Sequence, residues 1–198
     1  MSRKQAREIA LHLIFEMGFR QFEAEEALDD RLDEKIMASI SGDIALYAGK
    51  LDAQQTQYIR SVVKGVAARL AELDQTIDSY AHGWKLSRLS RMTVAILRLA
   101  IYEMRFVDDV PVGAAINEAV ELAKTYDTEE AAAFINGILG SVARADSGET
   151  VPAAAEDILP DAAGKVLPEV PAADTEASAS DTEAPETQSV DAAEHTDV

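Results

Sequence analysis

Three basic side chains lie within five residues of one another at the start of the chain, where Arg3, Lys4 and Arg7 precede an apolar helical pattern. On a helix, Arg3 and Lys4 are each about one turn from Arg7, so the three charges project close together. Cationic side chains contact phosphate groups, and an aromatic ring can stack on an unpaired base. We therefore expect a strip beside the buried face of this helix, suited to a nucleic acid or a partner protein. Its members are Lys4, Arg7, Leu11 and Phe15.

A second basic stretch, WKLSRLSR, carries Lys85, Arg88 and Arg91 with no acidic residue between them. It could extend a surface for an anionic partner, since cations attract phosphates. Lysine and arginine are also mostly exposed residues in any protein, so composition alone leaves both interpretations open. Trp84, at the head of the stretch, is expected as a core or hinge anchor rather than as a base-stacking platform.

The sequence lacks the patterns on which catalysis, cofactor binding and metal binding usually depend. It has no cysteine, and the glycine-rich patterns GxGxxG and GxxxxGK[ST] do not occur, which disfavours a nucleotide-binding loop. The three histidines lie far apart without the spacing of metal ligands. Paired acidic residues lie in polar stretches, where nothing raises the pKa of a carboxylate. We expect a protein that is not an enzyme and that has neither a cofactor nor a metal site.

Acidic residues are concentrated at the C-terminal end of the chain, whose formal net charge is −18. Residues 147–198 hold 13 acidic residues and one lysine, a net of −12, so the other 146 residues carry −6. The same segment holds five of the six prolines and no aromatic residue. Such a segment cannot bury enough apolar surface to offset the backbone entropy of folding. We predict a domain over 1–146 and a disordered acidic tail over 147–198.

The rest of the chain has the apolar spacing of amphipathic helices and no alternation that would predict strands. Asp52 and Thr128 are candidate N-caps. Gly18 is a candidate C-terminal stop, and Pro111 suits the first turn of a helix. Residues 92–107 are apolar on most faces, which predicts a central buried helix. We predict an all-α fold of about seven helices, over 3–17, 24–39, 53–80, 86–91, 92–107, 111–126 and 128–145.

Neither a targeting segment nor a membrane segment is expected. Charged residues recur through the first 20 positions without a continuous apolar stretch after them, which disfavours a signal peptide. No run of about 18 apolar residues occurs, which disfavours a membrane span. Together these observations predict a cytoplasmic protein.

Five short phrases occur in an order and spacing that resemble a known family. They are ARE near the N-terminus, VKGV, W-LSRLSRMTVAILRLAIYEM, VPVGAAINEAVELAKTY and FINGIL. Each phrase alone is weak evidence, but all of them in this order resemble the NusB family of bacterial transcription antitermination factors. The resemblance covers residues 3–143, is weak over 18–50 and is absent after residue 146.

The resemblance implies an all-α fold of two packed helical subdomains. It also implies that, with the small-subunit ribosomal protein NusE, the chain binds single-stranded boxA RNA of nascent rRNA transcripts. That complex would help RNA polymerase in the elongation complex to read through terminators. The RNA-binding residues that the resemblance implies are Arg3, Lys4, Gln5, Arg7, Phe15 and Tyr80. The partner-binding residues that it implies are Phe15, Glu130 and Phe134.

Two positions depart from the pattern of the family. Gln5 stands where an arginine is common, which removes one charge and should weaken the salt-dependent part of RNA binding. Thr93 stands where an acidic residue is frequent, which leaves one polar contact to the partner open.

Polar residues inside the apolar helices are expected to be structural. Asn117 and Asn136 are predicted as buried groups bonded to backbone, because an unpaired buried group would cost about 1–3 kcal/mol. Arg98 is predicted to pair with an acidic residue such as Glu103 or Glu118, rather than with RNA.

Other functions and assemblies stay open at this point. A helical interaction scaffold would bind partners without any RNA. A NusB-like domain also occurs fused to rRNA cytosine methyltransferases, but this chain lacks their catalytic cysteines and has no room for their cofactor-binding domain. An exposed apolar face could be covered by a homodimer as readily as by NusE. The acidic tail could compete with RNA for the basic residues, or serve solubility alone.

Overall fold

The computed structural model describes residues 2–19, 24–81 and 83–148. These residues form eight α-helices and two short 3-10 helices, and none of them lies in a strand. The prediction of an all-α fold is confirmed. The α-helices are α1 (Arg3–Met17), α2 (Ala24–Arg31), α3 (Glu34–Ile40), α4 (Ala53–Ala68), α5 (Leu70–Tyr80), α6 (Arg91–Phe106), α7 (Val112–Tyr126) and α8 (Glu129–Asp146), and the 3-10 helices cover Ala45–Ala48 and Leu86–Arg88.

The helices pack as two groups, in agreement with two packed subdomains. In the first group, α1 and α2 both pack on α4, and α3 packs on α2 and on the 3-10 helix Ala45–Ala48. In the second group, α6, α7 and α8 pack on one another, and α5 packs on α6 and α8. Both α1 and α4 also contact α6, so one continuous apolar core joins the groups.

The central helix of the fold is α6, in which ten of 16 residues are buried. Leu97 and Ile101 are fully buried, and the prediction of a central buried helix is confirmed. Two polar side chains, Thr93 and Glu103, are buried among the apolar ones. A buried carboxylate needs a cationic or hydrogen-bonding partner, because desolvating an unpaired charge is costly. Glu103 is therefore expected to have such a partner on a neighbouring helix.

The helix ends follow local signals in the sequence. Asp52 caps α4 through a capping box, and Thr128 Oγ1 accepts a hydrogen bond from the backbone N–H of Ala131 at 3.1 Å. Gly18 directly follows the last residue of α1. These three predictions are confirmed. Pro111 takes the N-cap position of α7, one residue earlier than the predicted first turn.

The segment predicted as one helix over 24–39 is two helices, α2 and α3. Asp33 lies between them, and its carboxylate accepts hydrogen bonds from the backbone N–H groups of Lys35 at 2.9 Å and Ile36 at 3.3 Å. Asp33 is therefore the N-cap of α3. The prediction was wrong because the apolar spacing continues across the break and hides it.

The segment predicted as one helix over 53–80 is also two helices, α4 and α5. The break falls at Arg69, whose φ of −121° and ψ of 19° are not helical. The guanidinium of Arg69 lies 4.5 Å from the centre of the Phe106 ring. The prediction was wrong because no glycine, proline or change of spacing marks the break.

Of three predictions about polar residues inside helices, two were wrong and one was right about the kind of partner. Arg98 pairs with an acidic residue as predicted, but that residue is Asp74 of α5 and neither Glu103 nor Glu118, and the ion pair is bidentate, at 2.7 Å and 2.8 Å. Asn117 and Asn136 are exposed rather than buried. The apolar spacing indicates which face of a helix is buried, but both asparagines lie outside that face. Their helices bury small and aliphatic residues instead, such as Ala115, Ala119, Ile135 and Leu139.

Within the described ranges, no helix is long and apolar enough to cross a membrane. The last helix, α8, ends at Asp146. The acidic tail predicted over 147–198 lies outside the described residues, apart from its first two residues.

Candidate functional site

The start of α1 is fixed by a capping box, which the sequence contains as the S-x-x-Q pattern of Ser2 and Gln5. The backbone N–H of Gln5 donates to the Ser2 hydroxyl at 3.2 Å, and the Gln5 side chain accepts from the backbone N–H of Ser2 at 2.8 Å. This reciprocal pair satisfies two N–H groups at the helix end and holds the first turn in place. The side chain of Gln5, a candidate RNA contact, is thus used for capping, and the S-x-x-Q pattern could have indicated this.

Arg3 is held in place by a carboxylate and an aromatic ring. Its Nη2 donates to both oxygens of Asp109, at 2.8 Å and 2.9 Å. Its guanidinium carbon lies 4.2 Å from the centre of the Tyr58 ring, a cation–π contact. The side chains of Arg3 and Asp109 are 34% and 64% exposed, so the pair faces solvent. No sequence signal points to this pair, because 106 positions separate its members.

Arg7 points into the protein, contrary to the expectation that it lies on an exposed strip. Its Nε donates to both oxygens of Glu103, at 3.1 Å and 2.9 Å, and its Nη1 donates to Glu118 at 3.1 Å. The hydroxyl of Tyr58 donates to the same Glu103 carboxylate at 2.7 Å. Leu11 is fully buried as well. The expected strip was wrong, because the buried Glu103 draws Arg7 towards α6.

The electrostatics of this cluster follow from its burial. Burial works against the charged form of Arg7, but the hydrogen bond and the negative charge of Glu103 outweigh it and raise the pKa of Arg7. Burial, together with the nearby Glu103 carboxylate, raises the pKa of the Tyr58 hydroxyl. Arg7 therefore stays charged and Tyr58 stays neutral. The cluster ties α1, α4, α6 and α7 together beneath Arg3.

Lys4 is the exposed cation of this region. It forms no hydrogen bond or ion pair with any residue in the described ranges. The hydrogen bond and charge of Lys124 lower the pKa of Glu121, and the charge of Lys4 contributes to that effect, which places Lys4 beside α7. We call the exposed surface of Arg3, Lys4, Asp109, Glu121 and Lys124 the N-terminal edge.

Phe15 lies at the other end of α1, about 18 Å along the helix axis from Arg3. Its half-buried ring lies 5.0 Å from the ring of Phe19, and Phe19 is 56% exposed. The guanidinium of Arg91 lies 4.2 Å from the centre of the Phe19 ring. Phe15 and Arg91 line an open cleft of about 620 Å³ together with Lys85 of the second basic stretch. The structure therefore does not bring Phe15 into the N-terminal edge.

The other candidate contact residues lie on the second group of helices. Glu130 is exposed in the first turn of α8, and Phe134 is half-buried one turn later. The Phe134 ring meets the ring of Trp84 edge-on, with 6.4 Å between ring centres. Tyr80 is half-buried at the last residue of α5. Glu130 and Phe134 thus share one face of α8.

Thr93, which stands where the family often has an acidic residue, is joined to a carboxylate from another helix end. The hydroxyls of Thr93 and Ser90 each donate to Oδ2 of Asp127 at 2.6 Å. Asp127 directly follows α7, so it lies at the turn between α7 and α8. A negative charge is therefore present beside Thr93, although the sequence position itself is neutral.

The described residues support binding chemistry, with cations for anionic groups and aromatic rings for planar or apolar groups. In the part of the chain that the structure describes, no group of three or more His, Asp or Glu side chains could hold a metal ion.

Comparisons with known proteins all give the same family. The family model described as the NusB family matches residues 4–144. The chain is 44% identical over 144 residues to the transcription antitermination protein NusB of Acetivibrio thermocellus. The aligned region covers 73% of this chain and 90% of that relative. The chain is 41% identical over 143 residues to the protein of the same name from Natranaerobius thermophilus, with coverage of 72% and 95%.

Solved structures give the same result for the fold. The structure of T. maritima NusB matches with a TM-score of 0.57 and 32% identity, covering 73% of this chain and 92% of that chain. A structure of the antitermination factors NusB and NusE in complex with dsRNA matches with a TM-score of 0.57 and covers 72% of this chain and 96% of that chain. Its identity is 22%, so it bears on the fold alone.

Proposed function

Because the chain belongs to the NusB family, we propose that it acts as a transcription antitermination factor without catalytic activity. In this proposal it binds boxA RNA of nascent rRNA transcripts together with NusE. The complex joins the elongation complex of RNA polymerase in the cytoplasm and helps it to read through terminators. The relatives that carry the name of antitermination protein support the first part. NusE and RNA are chosen as partners because a NusB with the same fold was solved in complex with NusE and dsRNA.

The observation that carries the RNA part of the proposal is the pair of cations at the start of α1. Lys4 is exposed and unpaired among the described residues, and Arg3 is held half-exposed beside it. Cations on one short surface neutralise neighbouring phosphates of a single strand. We assign Arg3 and Lys4 to phosphate contacts. We assign Arg7 to holding α1 in place, since its guanidinium is buried, and Gln5 to capping the same helix.

The remaining assignments concern contacts to NusE and further contacts to the RNA. Phe15 and Tyr80 are proposed as further RNA contacts, and Phe15, Glu130 and Phe134 as contacts to NusE. Phe15 lines the cleft beside the exposed ring of Phe19, an apolar surface of the kind that a protein partner covers. NusE or a second copy of this chain would cover it. Light scattering with and without NusE measures which of the two occurs.

The test is an RNA titration in the presence of NusE, with boxA RNA and a scrambled RNA of equal length. We expect the double variant Arg3→Ala/Lys4→Ala to bind boxA RNA more weakly. Two lost phosphate contacts should also flatten the log–log dependence of affinity on salt by up to about 1.4. The matched control is Lys35→Ala/Lys50→Ala, which removes the same charge from exposed residues elsewhere.

Equal losses in the two double variants would reduce the effect to net charge and overturn the assignment of Arg3 and Lys4. Unchanged binding in both, or equal binding of boxA and scrambled RNA, would favour a helical scaffold without a specific RNA role.

A further inference from the structure

The turn between α6 and α7 presents two adjacent acidic residues, Asp108 and Asp109, which are both exposed. The backbone N–H of Val110 donates to the carbonyl of Val107 at 3.0 Å and closes this turn. Asp109 forms the ion pair with Arg3, whereas Asp108 has no ion pair with any described residue. The two carboxylates therefore carry the same charge in nearly the same place, but one of them engages the N-terminal edge.

Arg3 is presented to Asp109 on a rigid support. One face of its guanidinium lies on the Tyr58 ring, and the hydroxyl of that ring is held by the buried Glu103 carboxylate at 2.7 Å. The Nε of Arg3 is shielded from solvent and forms no hydrogen bond, so the outward Nη2 does the binding. The carboxylate of Asp109 occupies the position at which Arg3 can hold an anion.

A carboxylate and a phosphodiester offer a guanidinium the same kind of acceptor, two oxygens that share a negative charge. An exposed ion pair contributes little to stability, so its carboxylate can be displaced without loss of the fold. We propose that Asp109 is an internal stand-in for an RNA phosphate: it occupies Arg3 in the free protein, and RNA must exchange a phosphodiester for this carboxylate. The inference rests on the proposed function, in which the N-terminal edge binds RNA.

The exchange has a signature in the salt dependence of binding. A cation that already has a carboxylate beside it neutralises the phosphate only in part, so fewer counterions leave the RNA. Each fully neutralised phosphate of a single strand contributes about 0.7 to the log–log salt slope. In this chain Arg3 contributes less than that amount while Asp109 stays near it, and Lys4 contributes fully.

The experiment compares Asp109→Asn with Asp108→Asn in the full chain, using boxA RNA and NusE over a range of salt concentrations. Both variants remove one negative charge from neighbouring exposed positions, and both keep the shape of the side chain. We expect Asp109→Asn to bind about fivefold more tightly than Asp108→Asn at low salt, the upper range for an exposed ion pair. We expect its salt slope to be steeper by up to about 0.7.

A second pair of variants tests whether the gain passes through Arg3. In an Arg3→Ala background, Asp109→Asn and Asp108→Asn should bind RNA equally. Equal gains with Arg3 present would show a general charge effect and overturn the exchange. Weaker binding by Asp109→Asn would show that the carboxylate positions Arg3 for RNA, which overturns it too. If no variant binds RNA, including the natural chain, the proposed function fails and the inference fails with it.

Discussion

The guanidinium of Arg7 and the carboxylate of Glu103 form a buried ion pair, with side chains only 6% and 1% exposed. Nε of Arg7 donates to both oxygens of Glu103, and the hydroxyl of Tyr58 donates to one of them. The pair joins α1 to α6, the helix that contacts most of the others. A basic residue that resembles an RNA ligand in the sequence is therefore part of the core.

Replacing Arg7 with alanine should lower the free energy of unfolding by about 3–5 kcal/mol, because it leaves the Glu103 carboxylate buried without its cation. Urea unfolding measures this loss. Lys4→Ala is the control, since it removes a cation three residues earlier on the same helix but from an exposed site, and should change stability by less than about 0.5 kcal/mol. Equal stabilities for the two variants would contradict the structural role of Arg7.

Replacing Gly65 with alanine should destabilise the fold by about 1–3 kcal/mol. A Cβ at this position of α4 would lie 2.0 Å from the Tyr102 hydroxyl oxygen and 2.1 Å from its ring carbon Cζ, so α6 could not keep its distance. Gly140→Ala in α8 is the control, because the nearest atom there is 3.5 Å away at the end of the Arg144 side chain. Alanine should stabilise that helix by up to about 1 kcal/mol. Thermal melting should therefore move in opposite directions for the two variants.

His12 should make the stability of the domain depend on pH. Its Nδ1 lies 3.1 Å from the Tyr47 hydroxyl, and its ring meets Tyr126 edge-on. Burial lowers the pKa of His12, and the charge of Glu8 opposes this only in part. Below the unfolded pKa of about 6.5, the unfolded chain takes up the proton first. The contribution to stability is thus complete above that pH and is lost as pH falls towards the lower pKa of the folded state.

The variant His12→Gln keeps a polar side chain but cannot titrate in this range. We expect the difference between its Tm at about pH 7 and about pH 5.5 to be smaller than in the natural chain. An unchanged difference would mean that other groups carry the pH dependence.

Removing the acidic tail after Gly148 should tighten RNA binding, mainly at low salt. Residues 149–198 hold 13 acidic residues and one lysine, tethered to a domain whose exposed cations include Lys4 and Lys124. A tethered anion competes with RNA at the high effective concentration that its tether sets. The matched control keeps the length of the tail but replaces its Asp and Glu with Asn and Gln, and should behave like the truncated chain. Equal affinity of all three chains at low salt would leave the tail a role in solubility alone.

Local signals in the sequence predicted the features that depend on neighbouring residues. Asp52 and Thr128 cap helices because an N-cap needs only its own side chain and the next turn. The apolar character of residues 92–107 predicted the central helix for a similar reason, because a helix that is buried on every side has apolar residues on all of its faces. The order of family phrases predicted the fold as a whole.

The partners of the charged residues could not be predicted, because ion pairs join positions far apart in the chain. Arg98 pairs with Asp74, and Arg7 pairs with Glu103 and Glu118, the two acids that the sequence offered as examples of a partner for Arg98. The spacing of apolar residues shows that a polar residue lies near a buried face, but not which acid another helix brings to it. The break at Arg69 has no local signal either, and the contact of its guanidinium with the Phe106 ring joins positions far apart in the chain.

The single tryptophan of the chain lies edge-on against Phe134, a residue proposed to contact NusE. Indole emission responds to the polarity and packing around the ring, and here all of it comes from one site. The fluorescence of the natural chain therefore reports on that surface without an added label. A change in emission as NusE is added would report docking near α8, while binding confined to the start of α1 would leave the signal unchanged.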